Sequence, residues 1–324
     1  SRGSNQFHLG PLSAELNKRD LLSGMICSGW PTPLTKKLAK QFPSNAAIQR
    51  FLQRAEAIPS NKVYASNLTE AIFQIGIRLR RISENTEQRF DVMGFYWYQL
   101  YAQYLLRRLS GDIYHYRSCY GLKSVSTARQ CGFIPICDHS IAHPGVLQDL
   151  IDNQGSWPKE PRKIYTSPLQ NQMKVDIAQA DHLIVNSEFV KSTCTFAGVS
   201  GEKIDVVYLG VDDKFLDSVQ PFDSKQVKER KSRSLLYAGG VQYRKGIKTL
   251  ADAYLSLSAP PQLTLVGGLD AVVGSSAYIR SLLEHPNVLY AGIAPREELS
   301  RYMIQSPLFI FPRYCDGSSR VIFA

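Results

Sequence analysis

The sequence predicts an α/β protein with parallel sheets, and two observations support that fold class. From residue 234 onward, short apolar runs alternate with segments of helical periodicity, and glycines follow most of the runs. Parallel neighbouring strands need crossover connections of this kind, usually through a helix. The predicted strands cover residues 235–238, 263–266, 288–290 and 308–311, and the predicted helices cover residues 249–257, 277–284 and 297–303.

The first half of the chain follows the same pattern less regularly. Buried strands are predicted at residues 22–27, 112–116, 133–137, 183–186 and 204–207. A long helical section between residues 33 and 109 interrupts them. Its apolar side chains recur at helical spacing, and we expect such a stripe to face the core. The stripe comprises Phe90, Met93, Gly94, Trp97, Tyr101, Tyr104 and Leu105.

The length of 324 residues suggests two domains, each large enough to bury a core. The apolar periodicity breaks between residues 210 and 233, where a proline and a run of charged residues occur. We therefore predict an N-terminal Rossmann-like domain over residues 1–212 and a C-terminal one over residues 213–324. Two such domains are expected to face a cleft and to bind ligands at the carboxyl ends of both sheets.

The six cysteines are scattered without a C-x-x-C pair, and most lie in apolar runs. This distribution is typical of buried thiols in a reducing cytoplasm, and disulfides or a zinc site are not predicted. The sequence contains neither a signal-peptide pattern nor an apolar run of about 18 residues. We therefore expect a cytoplasmic protein.

The formal charge of +10 favours an acidic partner. Nucleic acid, an anionic membrane surface and a phosphorylated substrate all satisfy that charge. No recognisable nucleic-acid module accompanies the basic residues, so nucleic acid is not a predicted partner. Solvated helix faces explain most of the cations, but five arginines are candidates for peripheral contact with the anionic inner face of a membrane. They are Arg78, Arg80, Arg81, Arg107 and Arg108.

The loop after the last predicted strand has the features of a phosphate cradle. Gly317, Ser318 and Ser319 lie between that strand and a helical pattern that starts at Arg320. Such a turn directs unpaired backbone N–H groups and the positive end of the helix dipole at one point, which suits a dianion. A helix N-cap without a ligand is the alternative interpretation.

Three segments are most informative when they are taken together. Residues 180–191 have the sequence ADHLIVNSEFVK, and YAGG at residues 237–240 is followed by RKG at residues 244–246. The third segment is the cradle loop from residue 311 to residue 317. In this order and spacing they resemble the GT-B retaining glycosyltransferases of family 4. Weaker similarity extends to residues 2–6 and 138–144.

The resemblance implies transfer of a sugar from a nucleotide-diphosphate donor to a glycan or a lipid-linked acceptor. Asp316 matches the first acid of the family's two-carboxylate motif, so it is expected to contact the transferred sugar. The second acid usually holds the nucleotide ribose and would fall at position 324, which is Ala324 in this chain. We therefore expect weaker donor binding than in a relative with both acids.

By the same resemblance, cations and backbone loops would hold the donor phosphates. Arg244 and Lys245 supply positive charge, and Gly240 stands where many family members have an arginine. The amides of residues 317–319 supply oriented donors. Gly3 and Ser4 would form the matching loop of the N-terminal domain, in contact with donor phosphate or acceptor.

Two histidines follow the strand predicted at residues 133–137, where doubly wound folds expose ligand-facing loops. A neutral imidazole there would bond a sugar hydroxyl or help receive the acceptor proton, and His143 is favoured over His139. A structural hydrogen-bonding role is the alternative for each. The remaining histidines are dispersed, so we predict transfer without a metal and without a bound cofactor.

Both ends of the sequence have the character of an excerpt from a longer enzyme. No strand precedes the loop at residues 2–6, and the helical pattern from Arg320 stops after about one turn. We therefore expect an incomplete second domain, and the activity of the excerpt stays open. Two other functions also stay open: a sugar-nucleotide epimerase or phosphorylase of the same fold, and a catalytically inactive binding protein.

Overall fold

The computed structural model describes residues 9–31, 37, 51–52, 58–79, 84–165, 167–210 and 234–318. The chain divides into two compact units that interleave along the sequence. Unit 1 comprises Ser1–His139, Ile164–Ile184 and Ser200–Asp205, and unit 2 comprises Ser140–Lys163, Val185–Val199 and Val206–Ala324. The predicted boundary between residues 212 and 213 lies outside the described residues and stays a prediction.

Ten strands form three sheets within the described ranges. Strands β1 to β6 are Met25–Cys27, Val63–Ala65, Ile113–Arg117, Ile134–His139, His182–Val185 and Ile204–Val206, and strands β7 to β10 are Ser234–Ala238, Gln262–Val266, Val288–Gly292 and Leu308–Phe309. Every strand predicted from the sequence is confirmed. Strand β2 was not predicted, because its three residues lie inside a section dominated by helical spacing.

From strand β7 onward, one or two helices separate successive strands, as the sequence predicts. Helices α1 to α7 are Leu9–Lys18, Asn67–Leu79, Glu84–Leu106, Lys123–Gln130, Pro144–Asp152, Pro168–Gln179 and Glu188–Phe196, and helices α8 to α11 are Ile247–Leu255, Ala271–Ser275, Ala277–Leu283 and Arg296–Gln305. Within the described part of the chain, no helix combines the length and the apolar character that crossing a membrane requires.

Unit 2 contains a doubly wound sheet in the strand order β10-β7-β8-β9, with all neighbours parallel. Successive side chains of a strand point to opposite faces, and β7 shows the consequence. Tyr237 packs into a core that includes Leu250 and Ile279 from helices α8 and α10. Leu236 packs with Leu299 of helix α11 on the other face. Because β10 lies beside β7, the loops that follow these two strands leave the same edge of the sheet.

Unit 1 is built on the sheet β3-β4-β5-β6 and a separate parallel pair, β1-β2. Helices α2 and α3 pack against each other through aromatic rings. Phe73 and Phe95 lie 5.1 Å apart between ring centroids, and Phe95 lies 4.8 Å from Tyr120. Both contacts have edge-to-face geometry, which aromatic pairs prefer.

The prediction that the apolar stripe of helix α3 faces the core is wrong in part. Met93, Trp97 and Tyr104 are 38%, 44% and 51% exposed. The core face of α3 instead carries Phe95, Tyr98, Ala102, Leu105 and Leu106. Apolar residues occupy most of the circumference of this helix, so spacing alone does not select the buried face. Packing against neighbouring elements selects it.

Candidate functional site

Two loops of unit 2 meet at the edge of its sheet and hold each other through the backbone. A short 3₁₀ turn, Tyr243–Lys245, follows strand β7 and carries two of the predicted cations. The loop after strand β10 lies against this turn. The Tyr314 N–H donates to the Arg244 carbonyl at 3.3 Å, and the Cys315 thiol lies 3.9 Å from the same oxygen. These contacts join the two loops into one structural element.

Glycine at position 246 makes this close approach possible. Gly246 has φ of +76°, which is a left-handed conformation that residues with a Cβ rarely adopt. A Cβ at this position would overlap the carbonyl oxygen of Pro312. The loop after β10 therefore lies directly on the backbone of the turn that carries the cations.

Three cations converge on one carboxylate in this element. Arg244 Nη1 lies 2.5 Å from Asp316 Oδ1, and both Lys245 Nζ and Arg313 Nη1 contact Asp316 Oδ2. We call Arg244, Lys245 and Arg313 the cation cluster. The side chains of Lys245, Arg313 and Asp316 are 12%, 8% and 9% exposed, and that of Arg244 is 34% exposed. Three basic side chains thus face one carboxylate, mostly out of water.

Burial makes this excess of positive charge costly, and the pKa values show it. Burial, together with the charges of Arg244 and Arg313, lowers the pKa of Lys245 to about 6. Burial also lowers the pKa of Arg313 to about 10. The carboxylate of Asp316 favours the protonated lysine and so opposes this shift. A further anion at the cluster would stabilise all three cations in their charged forms.

Arg313 is the member of the cluster that the sequence analysis did not identify. Its guanidinium carbon lies 4.0 Å from the centroid of the Phe311 ring, and its Nη1 contacts Asp316. Its Nε is buried and has no hydrogen-bond partner in the described part of the chain. The signal was present in the motif FPRYCDG, where a basic residue lies three positions before the acid. An arginine fork with an unsatisfied N–H is suited to bind an anion.

The predicted cradle is placed as far as residue 318. Asn186 follows strand β5 in the chain, and its Nδ2 donates to the Ser318 carbonyl at 3.3 Å. A Cβ at Gly317 would overlap the Asn186 amide, so only glycine fits beside it without a shift. Ser319 and the helical pattern after it lie outside the described residues. Asn186 is therefore a positioning residue that sequence analysis did not identify.

The same loop is also tied to the segment that carries His143. Asp316 and Ile141 form an isolated antiparallel bridge. The Ala142 N–H donates to the Cys315 carbonyl at 3.3 Å. The backbone around Asp316 is thus fixed from two sides, by the turn after β7 and by residues 141–142.

The two predicted histidines both make structural hydrogen bonds. His143 caps helix α5: its Nδ1 accepts from the Gly145 N–H at 3.0 Å, and its own N–H donates to Thr193 Oγ1 at 2.9 Å. When Nδ1 of a neutral imidazole accepts, Nε2 carries the proton. His143 is also buried, with 4% of its surface exposed, and its role towards a sugar stays a prediction. His139 is fully buried in unit 1, with Nδ1 3.0 Å from Ser118 Oγ.

The other predicted site residues lie partly outside the described ranges. Gly240 follows β7, and its carbonyl accepts from the Tyr237 hydroxyl at 2.8 Å. Gly3, Ser4 and Ala324 are not among the described residues. Among those that are described, no group of three or more histidine, cysteine, aspartate or glutamate side chains could hold a metal ion. Metal-independent chemistry stays a prediction.

Comparison with solved structures identifies the fold. No protein-family model and no curated protein matches the sequence. Among solved structures, the sucrose-phosphate synthase of Thermosynechococcus elongatus matches with a TM-score of 0.51 and 18% identity, over 71% of this chain and 57% of that one. The fold is GT-B. The predicted fold class is thereby confirmed, and the chain spans little more than half of that enzyme.

Other solved structures match with lower scores. The Anabaena protein Alr3699/HepE, in complex with UDP and glucose, has a TM-score of 0.49 and 13% identity, over 88% of this chain and 73% of that one. The α,α-trehalose 6-phosphate synthase of Burkholderia multivorans has a TM-score of 0.48 and 12% identity, over 89% of this chain and 78% of that one. Membership of family 4 and a retaining mechanism stay predictions.

Proposed function

We propose that this chain is a glycosyltransferase that uses a nucleotide-diphosphate sugar, and that the cation cluster binds the donor diphosphate. One observation carries the proposal: three cations meet a single carboxylate at the carboxyl edge of the unit 2 sheet. Once Lys245 is protonated, the excess of two positive charges matches the two negative charges of a diphosphate that links a sugar to a nucleoside. In parallel α/β sheets, ligands bind at this edge.

The cluster suits the chemistry of sugar transfer. The bond between the anomeric carbon and a phosphate oxygen breaks, and the electron pair stays on that oxygen. The oxygen of an acceptor hydroxyl forms the new bond to the carbon, and its proton passes to the leaving diphosphate. The leaving diphosphate therefore gains negative charge in the transition state. Fixed cations stabilise such a charge without reorganisation, and removing one donor of this type typically costs about 3 kcal/mol. Lys245 offers a point charge, and the arginines offer planar forks.

The finer assignments rest on the sequence resemblance. They are membership of family 4, hexosyl transfer with retention of the anomeric configuration, a glycan or lipid-linked acceptor, and independence of metals. Asp316 is the residue that the resemblance assigns to the transferred sugar. In this structure its carboxylate contacts the three cations. A donor would therefore have to displace Asp316 from some of these contacts before the carboxylate reaches the sugar.

Calorimetric titration with UDP, GDP and ADP tests the phosphate site. Lys245→Ala and Arg313→Ala are each expected to weaken the nucleotide that binds by roughly 10- to 100-fold, because each removes a charge-assisted hydrogen bond. Lys248→Ala is the matched control, since Lys248 lies three residues later and pairs with Asp252 on the surface. If the unaltered chain and all three variants bound the nucleotide equally well, the cation cluster would not be the diphosphate site.

Transfer itself is tested with UDP-, GDP- and ADP-sugars and a panel of glycan and lipid-linked acceptors, with nucleotide release as the readout. NMR of the product reports the anomeric configuration, and a parallel reaction with EDTA tests metal independence. Nucleotide binding without release from any donor would favour a binding protein over a transferase.

A further inference from the structure

Helix α3 has an exposed face that is unusually apolar. Five of its large side chains are between 37% and 51% exposed. They are Val92, Met93, Tyr96, Trp97 and Tyr104, which we call the aromatic face. The opposite side of the helix is packed in unit 1 through Phe95 and Tyr98. A helix that is apolar on both sides buries one face in the protein and has a second face for another apolar environment.

Helix α2, which packs against α3, adds to the exposed apolar surface of unit 1. Leu68, Ile75 and Ile77 are 59%, 44% and 39% exposed. Single exposed apolar side chains are ordinary, but eight on two packed helices are not.

Among the described side chains of residues 89–108, the exposed charges have one sign. Between residues 89 and 108 the only acidic side chain is Asp91, which is fully buried. Arg89, Arg107 and Arg108 of the same stretch are exposed. The Arg108 guanidinium carbon lies 3.6 Å from the centroid of the Tyr104 ring, and Lys123 Nζ lies 4.7 Å from that of Tyr96. Cations therefore lie directly on the exposed rings.

We propose that the aromatic face of helix α3 lies on an anionic lipid surface. Tryptophan and tyrosine rings favour the headgroup level of a bilayer, because one part of each ring system is apolar and another part bonds to water. Arginine and lysine beside them attract anionic headgroups, and their stems cover apolar surface while the charge stays in water. A helix with one face in the protein and an aromatic, basic face outward lies parallel to the membrane plane.

This occupant fits the face better than a protein partner does. A protein surface that matched several exposed cations would have to offer several carboxylates at fixed positions. A bilayer that contains anionic lipid supplies negative charge everywhere along the helix. The inference is independent of the proposed sugar transfer, because it uses only residues of unit 1.

Sedimentation of the full chain with lipid vesicles tests the proposal. We expect binding to vesicles of phosphatidylcholine and phosphatidylglycerol in equal parts, weakened by salt, and little binding to phosphatidylcholine alone. Arg107→Gln/Arg108→Gln should weaken the binding by roughly fivefold for each arginine. Lys159→Gln/Lys163→Gln is the matched control, because both lysines are exposed in unit 2. Absence of binding, or equal losses in the two pairs, would overturn the proposal.

Fluorescence locates the contact without changing the face. In a Trp30→Phe/Trp157→Phe chain, Trp97 is the remaining tryptophan, since the sequence has three. Lipids with brominated acyl chains should quench it in the mixed vesicles. Trp97→Ser should weaken sedimentation, whereas Tyr208→Ser, at a similarly exposed position, should not. Absence of Trp97 quenching would refute the lipid contact. A dimer in solution that Trp97→Ser abolishes would also refute it, because the aromatic face would then be an interface between two copies of the chain.

Discussion

Asp316→Asn should strengthen nucleotide binding and weaken the fold at the same time. In the structure the Asp316 carboxylate contacts all three members of the cation cluster. A diphosphate needs the same donors, so the carboxylate competes with it. The asparagine keeps the size of the side chain and removes the competing charge. The same change leaves three largely buried cations without their counter-ion.

The magnitudes follow from the contacts. A hydrogen bond to a charged group contributes about 1.5–3 kcal/mol net. If UDP has to displace Asp316 from one cation, the substitution lowers the Kd by roughly 10- to 100-fold. Breaking a buried ion pair by removing one partner costs about 3–5 kcal/mol. Arg244 is one-third exposed and its pair is screened, so the lower end of that range is expected for the free energy of unfolding.

Two measurements on the same preparations decide between the possible roles of Asp316. Titration calorimetry gives the Kd of UDP, and chemical denaturation gives the free energy of unfolding. Asp252→Asn is the control, because it removes a carboxylate from an exposed pair with Lys248. If Asp316 contacts only the transferred sugar, the Kd of UDP will not change while that of the intact donor will rise. That result, or weaker UDP binding in Asp316→Asn, would refute the competition.

Three further predictions concern the same element. Gly246→Ala should destabilise the chain by at least about 1–2 kcal/mol, from its left-handed φ and the overlap with Pro312; an unchanged melting temperature would contradict the close approach of the loops. Gly317→Ala should weaken UDP binding, because a Cβ there would overlap the Asn186 amide. Adding Asn186→Ala to the same chain should restore part of the affinity, with a coupling free energy between the two substitutions of about 1–2 kcal/mol. Additive effects of the two substitutions would argue against their contact. The pKa of Lys245 is lowered to about 6, so UDP binding at pH 8 should be accompanied by the uptake of a proton. The contribution of Lys245 to stability should rise with pH above 6, because the unfolded chain then holds the proton that the folded chain lacks. Calorimetry in two buffers of different ionisation enthalpy measures the uptake, which Lys245→Met should abolish; equal heats in both buffers for the unaltered chain would contradict it.

The sequence alone was sufficient for the fold class and for most of the elements. Parallel strands buried on both faces are short apolar runs, and these are visible wherever a loop and a helix separate them. The order of motifs also indicated the two loops of the site, because YAGG, RKG and FPRYCDG are local patterns. Local patterns require only neighbouring residues, so they are present in the sequence whether or not the chain is folded.

The tertiary structure decided which groups meet. Arg244 and Asp316 are 72 positions apart, and they are brought together because β10 lies beside β7 in the sheet. Strand order is set by the packing of the whole unit, and no local periodicity encodes it. The same strand order brings Arg313 beside Arg244 and Lys245, although its contact with Asp316 lies within one loop. It also decided which face of helix α3 is buried, since that depends on the neighbouring elements and not on the spacing of its apolar residues.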